Sequence, residues 1–503
     1  MSRQAPYLAS DATLTIRADL AGVTLAPSLH GQFAEHLGQG IYDGLWVGED
    51  SPIPNVRGLR SDVVGALRRL HVPVLRWPGG CFAEAYHWRD GVGPRDQRPR
   101  TINTSWGGVV EPNAFGTHEF LDLCDQVGAV PYVNGNVASG SPGELAGWLE
   151  YMTSDTDSTL ADLRRRHGRA APWAIPYMGF GNEAWGCGGH MRAEQYADEY
   201  RRFATFVGSP PGGRLSRIAA GGDGADVRWT DVVMERASAD LDAITVHHYA
   251  IPTGDWAHKG PATGFDQAAW VATLARVLSI DDVLAAHELV MDRHDPDRRV
   301  ALIVDEWGTW YDPEPGSPPS SLFQQNSVRD ALAAALTLHV LHAHAERVRM
   351  ANIAQLVNVL QAMVLTDGER IVLTPTYHAF EMYLPFQGAT RIPIELEAPR
   401  YRAGDDEVPI VHASAALDGG GRLWLGLINL HPDAPLEVSA RVVGHTGTRL
   451  EGRVLTGPAI DSVNTVAEPD LVRPGPAASS SLHSGHLVTR LPARSVTVLE
   501  VRP

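Results

Sequence analysis

Short apolar runs alternate along the chain with segments of helical periodicity. Between these runs, residues 61–70, 116–128 and 192–207 place apolar side chains on one helical face. Strands that alternate with helices form parallel sheets through crossover connections. Eight such units fit a (β/α)8 TIM barrel better than an open doubly wound sheet, for which the GxGxxG turn after the first strand is missing. The eight predicted strands lie in GQFAEHLG, VPVLRWPGG, AVPYVNGN, IPYMGFGNE, IAAGG, LDAITVHHY, VALIVDEW and ANIAQLVNVL.

The pattern changes after about residue 387. Runs such as VPIVHASAAL, GRLWLGLINL and RSVTVLEVRP are separated by Gly, Pro and Asp turns, without helical stretches between them. We therefore predict a catalytic barrel over residues 30–386 and an all-β, jelly-roll-like sandwich over residues 387–503. The run ATLTIRADL near the amino terminus has the same character, so residues 1–29 are predicted to add a strand to that sandwich.

Net charge and apolar content limit the classes of binding partner and the cellular location that we expect. The 503-residue chain carries a formal net charge of −17, which disfavours nucleic acid and anionic membranes and suits a neutral small substrate. Its first residues show no apolar run of signal-peptide length, and no segment approaches the ~20 apolar residues of a membrane span. These features predict a cytoplasmic protein.

Three cysteines, Cys81, Cys124 and Cys187, are spread over distant positions. An odd number at such spacing matches neither a disulfide framework nor a CxxC metal site. We therefore expect all three side chains to be reduced thiols.

Polar side chains stand where the predicted barrel strands end. Buried strands normally read as continuous apolar runs, so polar residues at these positions need a reason. The carboxyl ends of the strands form the mouth of a (β/α)8 barrel, where ligands bind. We predict a polar ligand in the mouth, contacted by residues from these strand ends: Glu35, Arg76, Asn182, Glu183, His247, Tyr249, Glu306 and Gln355.

Two of these residues are carboxylates on opposite sides of the predicted barrel. Glu183 ends the fourth strand and Glu306 lies at the end of the seventh, so both side chains are expected to face the central cavity. Paired carboxylates across a polyol perform glycoside hydrolysis, since one donates a proton and the other attacks or activates water. Arg76 is a cationic donor that would keep the second carboxylate ionised.

Five motifs in order along the chain carry a family resemblance. GQFAEHLG, RWPGG, GNE, DEW and AQLVNV each stand at a predicted strand end. Together they resemble glycoside hydrolase family 51, the α-L-arabinofuranosidases, over nearly the whole chain. The resemblance implies a retaining, exo-acting enzyme that removes terminal arabinofuranose from arabinoxylan or arabinan oligosaccharides. It also implies a homo-oligomer, a trimer or a hexamer, with no cofactor.

The resemblance assigns catalytic roles to the two carboxylates. Glu183 matches the general acid/base of the family and Glu306 its nucleophile, with their carboxylates about 5 Å apart. Asn182 matches the residue that binds the sugar hydroxyl next to the anomeric carbon. His247 and Tyr249 match the residues that support the acid and the nucleophile respectively.

Four further positions of the sugar pocket follow from the same resemblance. Glu35 and Gln355 match residues that bind furanose hydroxyls, and Trp106 matches an aromatic wall. Cys81 stands where many relatives carry asparagine. The resemblance therefore does not assign the residue that makes one of the contacts to a sugar hydroxyl. The WGCGG segment after Glu183 is less uniform in the family and is expected to shape the leaving-group side.

Several alternatives stay open at this point. Some family members act as β-xylosidases or endo-β-glucanases, and a non-catalytic sugar-binding barrel would also keep polar strand ends. A metal-dependent hydrolase is disfavoured, because His247 and His248 are adjacent on a strand and point to opposite faces. His339, His342 and His344 share a predicted outer helix, where we expect a solvated polar face and no metal.

Overall fold

The computed structural model describes residues 11–20, 22–210, 213–477 and 480–503. Eight parallel strands close into a barrel in which each strand pairs with the next along the chain and the eighth pairs with the first. The predicted (β/α)8 barrel is therefore confirmed. In chain order the barrel strands are Gly31–Phe33, Val74–Trp77, Val130–Gly135, Tyr177–Phe180, Ser216–Ala219, Ala243–Ala250, Ala301–Thr309 and Val348–Ala354.

Helices connect the barrel strands, and several of them begin at capping side chains. Ser141 and Ser327 each accept a backbone N–H in the first turn of the helix that follows, which satisfies groups that a helix start leaves without partners. The helix Pro375–Met382 is followed by a short 3-10 helix, Leu384–Phe386. The α-helices are Ser61–Arg69, Thr117–Val127, Pro142–Thr153, Thr159–Arg166, Ala193–Phe206, Val227–Ala237, Gln267–Leu278, Ile280–His294, Val328–Ala343 and Pro375–Met382.

Small apolar side chains fill the inside of the barrel. A cluster of buried residues from six barrel strands includes Val74, Ile218, Ile303 and Met350. Side chains from so many strands meet only inside a closed barrel. This packed layer forms a floor, so a ligand binds above it at the carboxyl ends of the strands.

Two packed sheets form the carboxy-terminal unit. One sheet is ordered Ile394–Glu397, Ala12–Arg17, Leu436–Val443, His486–Leu491 and Ser480–His483. The other is ordered Thr390–Ile392, Val411–Leu417, Leu423–Asn429, Ser495–Arg502, Arg449–Leu455 and Gly475–Pro476. Alternate residues of both sheets build a separate apolar core, as in a sandwich.

The amino-terminal strand joins this sandwich, as predicted. Ala12–Arg17 lies between two strands from the other end of the chain, parallel to Leu436–Val443 and antiparallel to Ile394–Glu397. The first ten residues of the predicted segment 1–29 lie outside the described residues. The division of the chain after residues 29 and 386 stays a prediction.

The helix Val328–Ala343 packs between the barrel and the sandwich. The expectation that its histidines form a solvated polar face is wrong for two of them. His339 and His342 do not face solvent, because the six-stranded sheet covers this side of the helix. His339 Nδ1 lies 3.0 Å from His412 Nδ1, and His342 Nδ1 lies 3.0 Å from Ser414 Oγ. The helix packs against the barrel on one side and against the sheet on the other, so its polar side chains are buried as well. The sequence of the helix alone does not show that a second unit covers its polar face.

Candidate active site

The mouth of the barrel holds a cavity of about 530 Å³. The structure brings all the residues predicted from the sequence to this place. Arg76 and Asn182 lie beneath the cavity, hydrogen-bonded to each other. The cavity itself is lined by Glu35, Cys81, Trp106, Glu183, His247, Tyr249, Glu306 and Gln355.

Glu183 and Glu306 face each other across the cavity. One oxygen of each carboxylate and a ring nitrogen of His247 all lie within 4.8 Å of one another. Glu306 is buried on the seventh strand, whereas the Glu183 side chain keeps 23% of its surface exposed. The two acids therefore share one small space from opposite sides, and one of them is more open to solvent.

Two donors hold the carboxylate of Glu306. Arg76 donates from Nη1 to Oε1 at 2.7 Å, and Tyr249 donates its hydroxyl to Oε2 at 2.8 Å. Arg76 also lies over the Phe33 ring, with its guanidinium carbon 4.6 Å from the ring centre. Burial opposes its charge, but the carboxylates of Asp305 and Glu306 raise the pKa of Arg76 above its ordinary value. Glu306 is thus set between a permanent cation and a phenol donor, and one of them points at each of its oxygens.

His247 joins three carboxylates. Its Nδ1 lies 2.9 Å from Glu183 Oε1 and 3.6 Å from Glu306 Oε2, and its Nε2 lies 3.2 Å from Asp305 Oδ1. Burial alone lowers the pKa of His247, but the charge of Glu306 and contacts with Asp305 and Glu183 outweigh it and raise the pKa well above its usual value. Both ring nitrogens face carboxylate oxygens, so the imidazolium form, with two N–H donors, suits this position.

The backbone at Glu183 adopts a conformation that few residues other than glycine take. Glu183 has φ of +39°, in the left-handed region, and Gly181 just before it has φ of +89°. The Glu183 carbonyl then accepts hydrogen bonds from Gly186 and Gly188, which closes a tight turn after the fourth strand. Left-handed backbone at a non-glycine residue costs on the order of 1–3 kcal/mol and concentrates at functional sites. The glycine-rich GFGNEAWGCGG stretch therefore serves to aim one acid.

Two glycines of the RWPGG motif let the backbone approach the site closely. A Cβ at Gly79 would lie 2.6 Å from Cγ of Glu35, and a Cβ at Gly80 would lie 2.6 Å from Oε1 of Glu306. Both distances are below van der Waals contact. The glycines thus allow the loop after the second strand to pass directly beside two acids.

Glu35 and Gln355 form one side of the pocket. Glu35 accepts hydrogen bonds from the backbone N–H groups of Gly80 and Phe82 at 3.0 and 3.1 Å, and from Gln355 Nε2 at 3.2 Å. Burial, followed by the nearby charge of Glu306, raises the pKa of Glu35 to about 7. Trp106 stands beside them in the loop of the hairpin formed by residues 101–111.

A disulfide joins Cys81 and Cys187, with their Cα atoms 5.6 Å apart. The expectation that all three cysteines are reduced is therefore wrong, and only Cys124 is a free, buried thiol. The separation of 106 residues argued against pairing in the sequence. Barrel closure overrides that separation, because it carries the loops after the second and fourth strands to the same rim.

Comparisons with known proteins agree with this geometry. Family models described as "Alpha-L-arabinofuranosidase 1 domain" and "Alpha-L-arabinofuranosidase C-terminal domain" match residues 66–254 and 305–495. An "Intracellular exo-alpha-L-arabinofuranosidase" of Bacteroides ovatus is 46% identical over 98% of this chain and 96% of its own. The GH51 arabinofuranosidase structure from Xanthomonas axonopodis pv. citri superposes with a TM-score of 0.97 at 51% identity, covering 98% of this chain and 100% of that one. The chain belongs to glycoside hydrolase family 51.

Within family 51 it is a retaining α-L-arabinofuranosidase. An α-L-arabinofuranosidase of Thermotoga maritima, solved as an arabinose complex, also matches, with a TM-score of 0.83 and 29% identity over 98% of this chain and 100% of that one. A bifunctional glucanase-xylanase, CelM2, reaches a TM-score of 0.63 at 13% identity over 98% of this chain and 99% of that one, and it shows the shared fold alone.

Sequence reasoning missed several residues around Glu183 and Glu306 of this family 51 enzyme. Asp305 stands beside Glu306 in the DEW motif, but its place between Arg76 and His247 required the structure. Glu84 is buried and accepts backbone N–H groups from Val137, Ala138 and Asn182. Burial raises the pKa of Glu84 to about 7. Trp185 of the WGCGG segment lines the cavity rim, where that segment was expected to act. Further residues of the rim were not selected because they lie in loops without a strand pattern: Asp223, Trp256 and Trp310.

Two groups of side chains at this site have the spacing of metal ligands. They are Cys81, Glu183 and Cys187, and Glu183, His247 and Glu306. In the first group the sulfurs are bonded to each other, which removes the thiolates that a metal needs. In the second, His247 has both nitrogens against carboxylate oxygens, so its chemistry is that of an ion pair.

Proposed function

We propose that the site hydrolyses terminal α-L-arabinofuranosides of arabinoxylan and arabinan oligosaccharides, with Glu306 as nucleophile and Glu183 as general acid/base. One observation carries the proposal: an oxygen of each carboxylate lies within 4.8 Å of the other. Retaining glycosidases place their carboxyl groups about 5–5.5 Å apart, whereas inverting enzymes leave about 6.5–9.5 Å for a water molecule. The spacing therefore suits direct attack by one carboxylate on the sugar.

The surroundings of the two acids assign their roles. Glu306 receives donors from Arg76 and Tyr249, which keep it anionic and aim its oxygens. Glu183 has one oxygen against His247 and reaches the open rim, where the leaving group departs. A nucleophile needs a fixed negative charge, and an acid/base needs access to the leaving oxygen and then to water.

In the first step Glu306 attacks the anomeric carbon while Glu183 gives its proton to the departing glycosidic oxygen. The products are an arabinosyl-enzyme ester and the free alcohol. In the second step Glu183, now a carboxylate, takes a proton from water as the water attacks the same carbon and releases Glu306. Tyr249 and Arg76 remain on the Glu306 carboxylate as its charge is consumed and restored.

Binding of the sugar falls to the inner residues. Asn182 is held by Arg76 at 2.7 Å, which fixes its amide beside the anomeric position. Glu35 and Gln355 present a carboxyl and an amide to the furanose hydroxyls, and Trp106 closes one side. An exo mode means that the terminal sugar alone enters this pocket. The exo activity named for the Bacteroides ovatus relative supports the same mode.

The remaining features of the proposal concern the setting of the enzyme. The family resemblance supports a trimer or hexamer. The intracellular relative supports a cytoplasmic enzyme that acts on imported oligosaccharides. A net charge of −17 supports a neutral sugar as partner over nucleic acid or a membrane surface. In the described part of the chain, every helix is too short or too polar to cross a bilayer. Sedimentation velocity of the purified chain tests the oligomer.

A substrate panel tests the proposed activity. Aryl α-L-arabinofuranosides, β-xylosides and β-glucosides are compared by kcat/KM, and NMR follows the first-formed sugar. We expect arabinofuranosides to be preferred by at least about 100-fold, with the α-anomer of arabinose appearing first. Preference for xylosides or glucosides, or first appearance of the β-anomer, would overturn the proposal.

A further inference from the structure

The Cys81–Cys187 bridge lies directly against Glu183. Sγ of Cys187 is 3.6 Å from Glu183 Oε2, and Sγ of Cys81 is 4.0 Å from the same oxygen. The other oxygen of Glu183 contacts His247 Nδ1 at 2.9 Å. The carboxyl group therefore has an ionic side, formed by the histidine, and a sulfur side, formed by the bridge.

The bridge also ties the loop that carries Glu183 to the rest of the rim. Cys187 lies in the tight turn closed by the Glu183 carbonyl, and Cys81 begins the 3-10 helix Cys81–Ala85 after the second strand. Glu183 holds a left-handed backbone, with φ of +39°, that a residue with a side chain leaves readily unless its surroundings hold it. The bridge is the one covalent contact that the described structure makes between this turn and another part of the chain.

We infer that the Cys81–Cys187 bridge positions Glu183, and that its reduction selectively slows reactions that need the leaving group to be protonated. This inference rests on the proposed role of Glu183 as general acid/base. The bridge does not touch the reacting atoms itself. It has two effects. It holds the turn that carries Glu183 in place, and it sets against Glu183 Oε2 two sulfur atoms that have no hydrogen to donate.

Reduction changes both effects in a defined way. A dithiol attacks one sulfur through its thiolate, forms a mixed disulfide, and closes to a cyclic disulfide with its second thiolate. Two electrons pass from the dithiol to the bridge, and each cysteine takes up one proton to become a thiol. The turn is then held by hydrogen bonds alone. Each new S–H group is also a donor to Glu183 Oε2, which favours the ionised carboxylate over the acid form.

The bridge is accessible to such a reagent, because Cys187 lies on the exposed rim. The other charged or titratable groups that face Glu183 are His247, Glu306, Asp223 and Tyr249. None of them changes covalently on reduction. A difference between the bridged and reduced enzyme therefore reports on the sulfurs and on the turn that they hold.

The test uses the whole enzyme before and after treatment with dithiothreitol, with thiols counted under denaturing conditions. Two substrates are compared by kcat/KM: methyl α-L-arabinofuranoside, whose alcohol needs a proton to leave, and dinitrophenyl α-L-arabinofuranoside, whose phenolate does not. We expect reduction to lower kcat/KM at least about fivefold for the methyl glycoside and less than about twofold for the aryl glycoside. The alkaline limb of the methyl glycoside profile should move to lower pH.

Two variants provide matched controls. The double variant Cys81→Ala with Cys187→Ala should show the leaving-group difference without reductant and should not respond to dithiothreitol. Cys124→Ala removes the buried free thiol and should respond to reduction like the natural chain. Circular dichroism of the reduced enzyme shows whether the fold is kept. Equal losses on both substrates, or no loss on either, would overturn the inference.

Failure of the inference is distinguishable from failure of the proposed function. Glu183→Ala is assayed on the same two substrates. If that variant discriminates strongly between them while reduction does not, Glu183 is the acid/base and only the role of the bridge is wrong. If Glu183→Ala damages both substrates equally, the proposed function itself fails.

Discussion

Arg76 and Glu306 form a buried ion pair, with Arg76 Nη1 2.7 Å from Glu306 Oε1. The two residues lie in the second and seventh barrel strands, and 230 positions separate them in the chain. The same guanidinium contacts Asn182 and Asp305. One cation thus connects Glu306, Asn182 and Asp305, so the geometry of the site depends on barrel closure.

Replacing Glu306 with Ala is expected to abolish hydrolysis of every arabinofuranoside. Without the nucleophile no arabinosyl-enzyme ester forms, and kcat/KM should fall by at least about 10⁴-fold. Initial rates on aryl and alkyl glycosides measure the loss. Added azide, which fits the space left by the carboxylate, should restore turnover of the aryl glycoside and give an arabinosyl azide of inverted configuration. A retained configuration in that product would contradict the assignment.

Replacing Glu183 with Ala is expected to separate substrates by their leaving groups. The value of kcat/KM reports the first chemical step, in which Glu183 acts only as an acid. It should fall about 10²–10⁴-fold for arabinan oligosaccharides and less than about tenfold for dinitrophenyl arabinofuranoside. Glu194→Ala, on the outer helix Ala193–Phe206, serves as a control and should leave both values unchanged. A similar loss on the two substrate types would count against the role of Glu183.

Arg76 is expected to matter for both catalysis and stability. Arg76→Met removes the guanidinium that is paired with the buried carboxylates of Asp305 and Glu306, which should lower the free energy of unfolding by about 3–5 kcal/mol. Arg76→Lys keeps the charge but loses the forked geometry that serves Glu306 and Asn182 together. The lysine variant should therefore be nearly as thermostable as the natural chain but much slower. Calorimetry and kcat measurements check the two effects, and a fully active lysine variant would refute the second.

The stability of the enzyme is expected to fall as the pH drops from about 6.5 towards 4. Burial lowers the pKa of His30 from 6.5 to about 3, so this side chain stays neutral in the folded state. The unfolded chain takes up a proton below its ordinary pKa, and each such proton costs about 1.4 kcal/mol of stability per pH unit. The loss is absent above pH 6.5 and accumulates below it.

A buried and an exposed histidine are compared to check this dependence. His30→Leu should flatten the decline of Tm between pH 6.5 and 4, because the leucine takes up no proton in either state. His258, with its side chain 85% exposed, is the matched control, and His258→Leu should follow the natural curve. Parallel curves for the natural chain and His30→Leu would show that His30 does not carry the effect.

The fold and most of the site were predictable from particular sequence features. The runs that end in RWPGG, GNE and DEW are apolar until their last residues. The change from apolar to polar residues locates the strand and the end of it that faces the mouth of the barrel. Glu183 and Glu306 followed from this pattern because a barrel places all strand ends at one mouth. Arg76 was predicted for the site because a cation at a strand end can pair with one of the two carboxylates.

Other features depended on packing that no local pattern records. His339 and His342 are buried because a sheet from the end of the chain covers their helix. Asp305 and Glu306 both contact Arg76 and His247, which lie on two other strands. The strand pairing shifts register between Val304 and Trp307, an irregularity that the sequence pattern does not show. The rim residues Trp256 and Trp310 lie in loops, where no helix or strand period marks them.

The sequence by itself determined the alternation of strands and helices, the change to a sandwich and the identity of the two acids. Periodicity is a property of neighbouring residues, so it is readable along the chain. Only the tertiary structure decided the distance between Glu183 and Glu306, the ionic contacts of His247 and the pairing of Cys81 with Cys187. These relationships join loops and strands far apart in the chain, and barrel closure alone brings their atoms within reach.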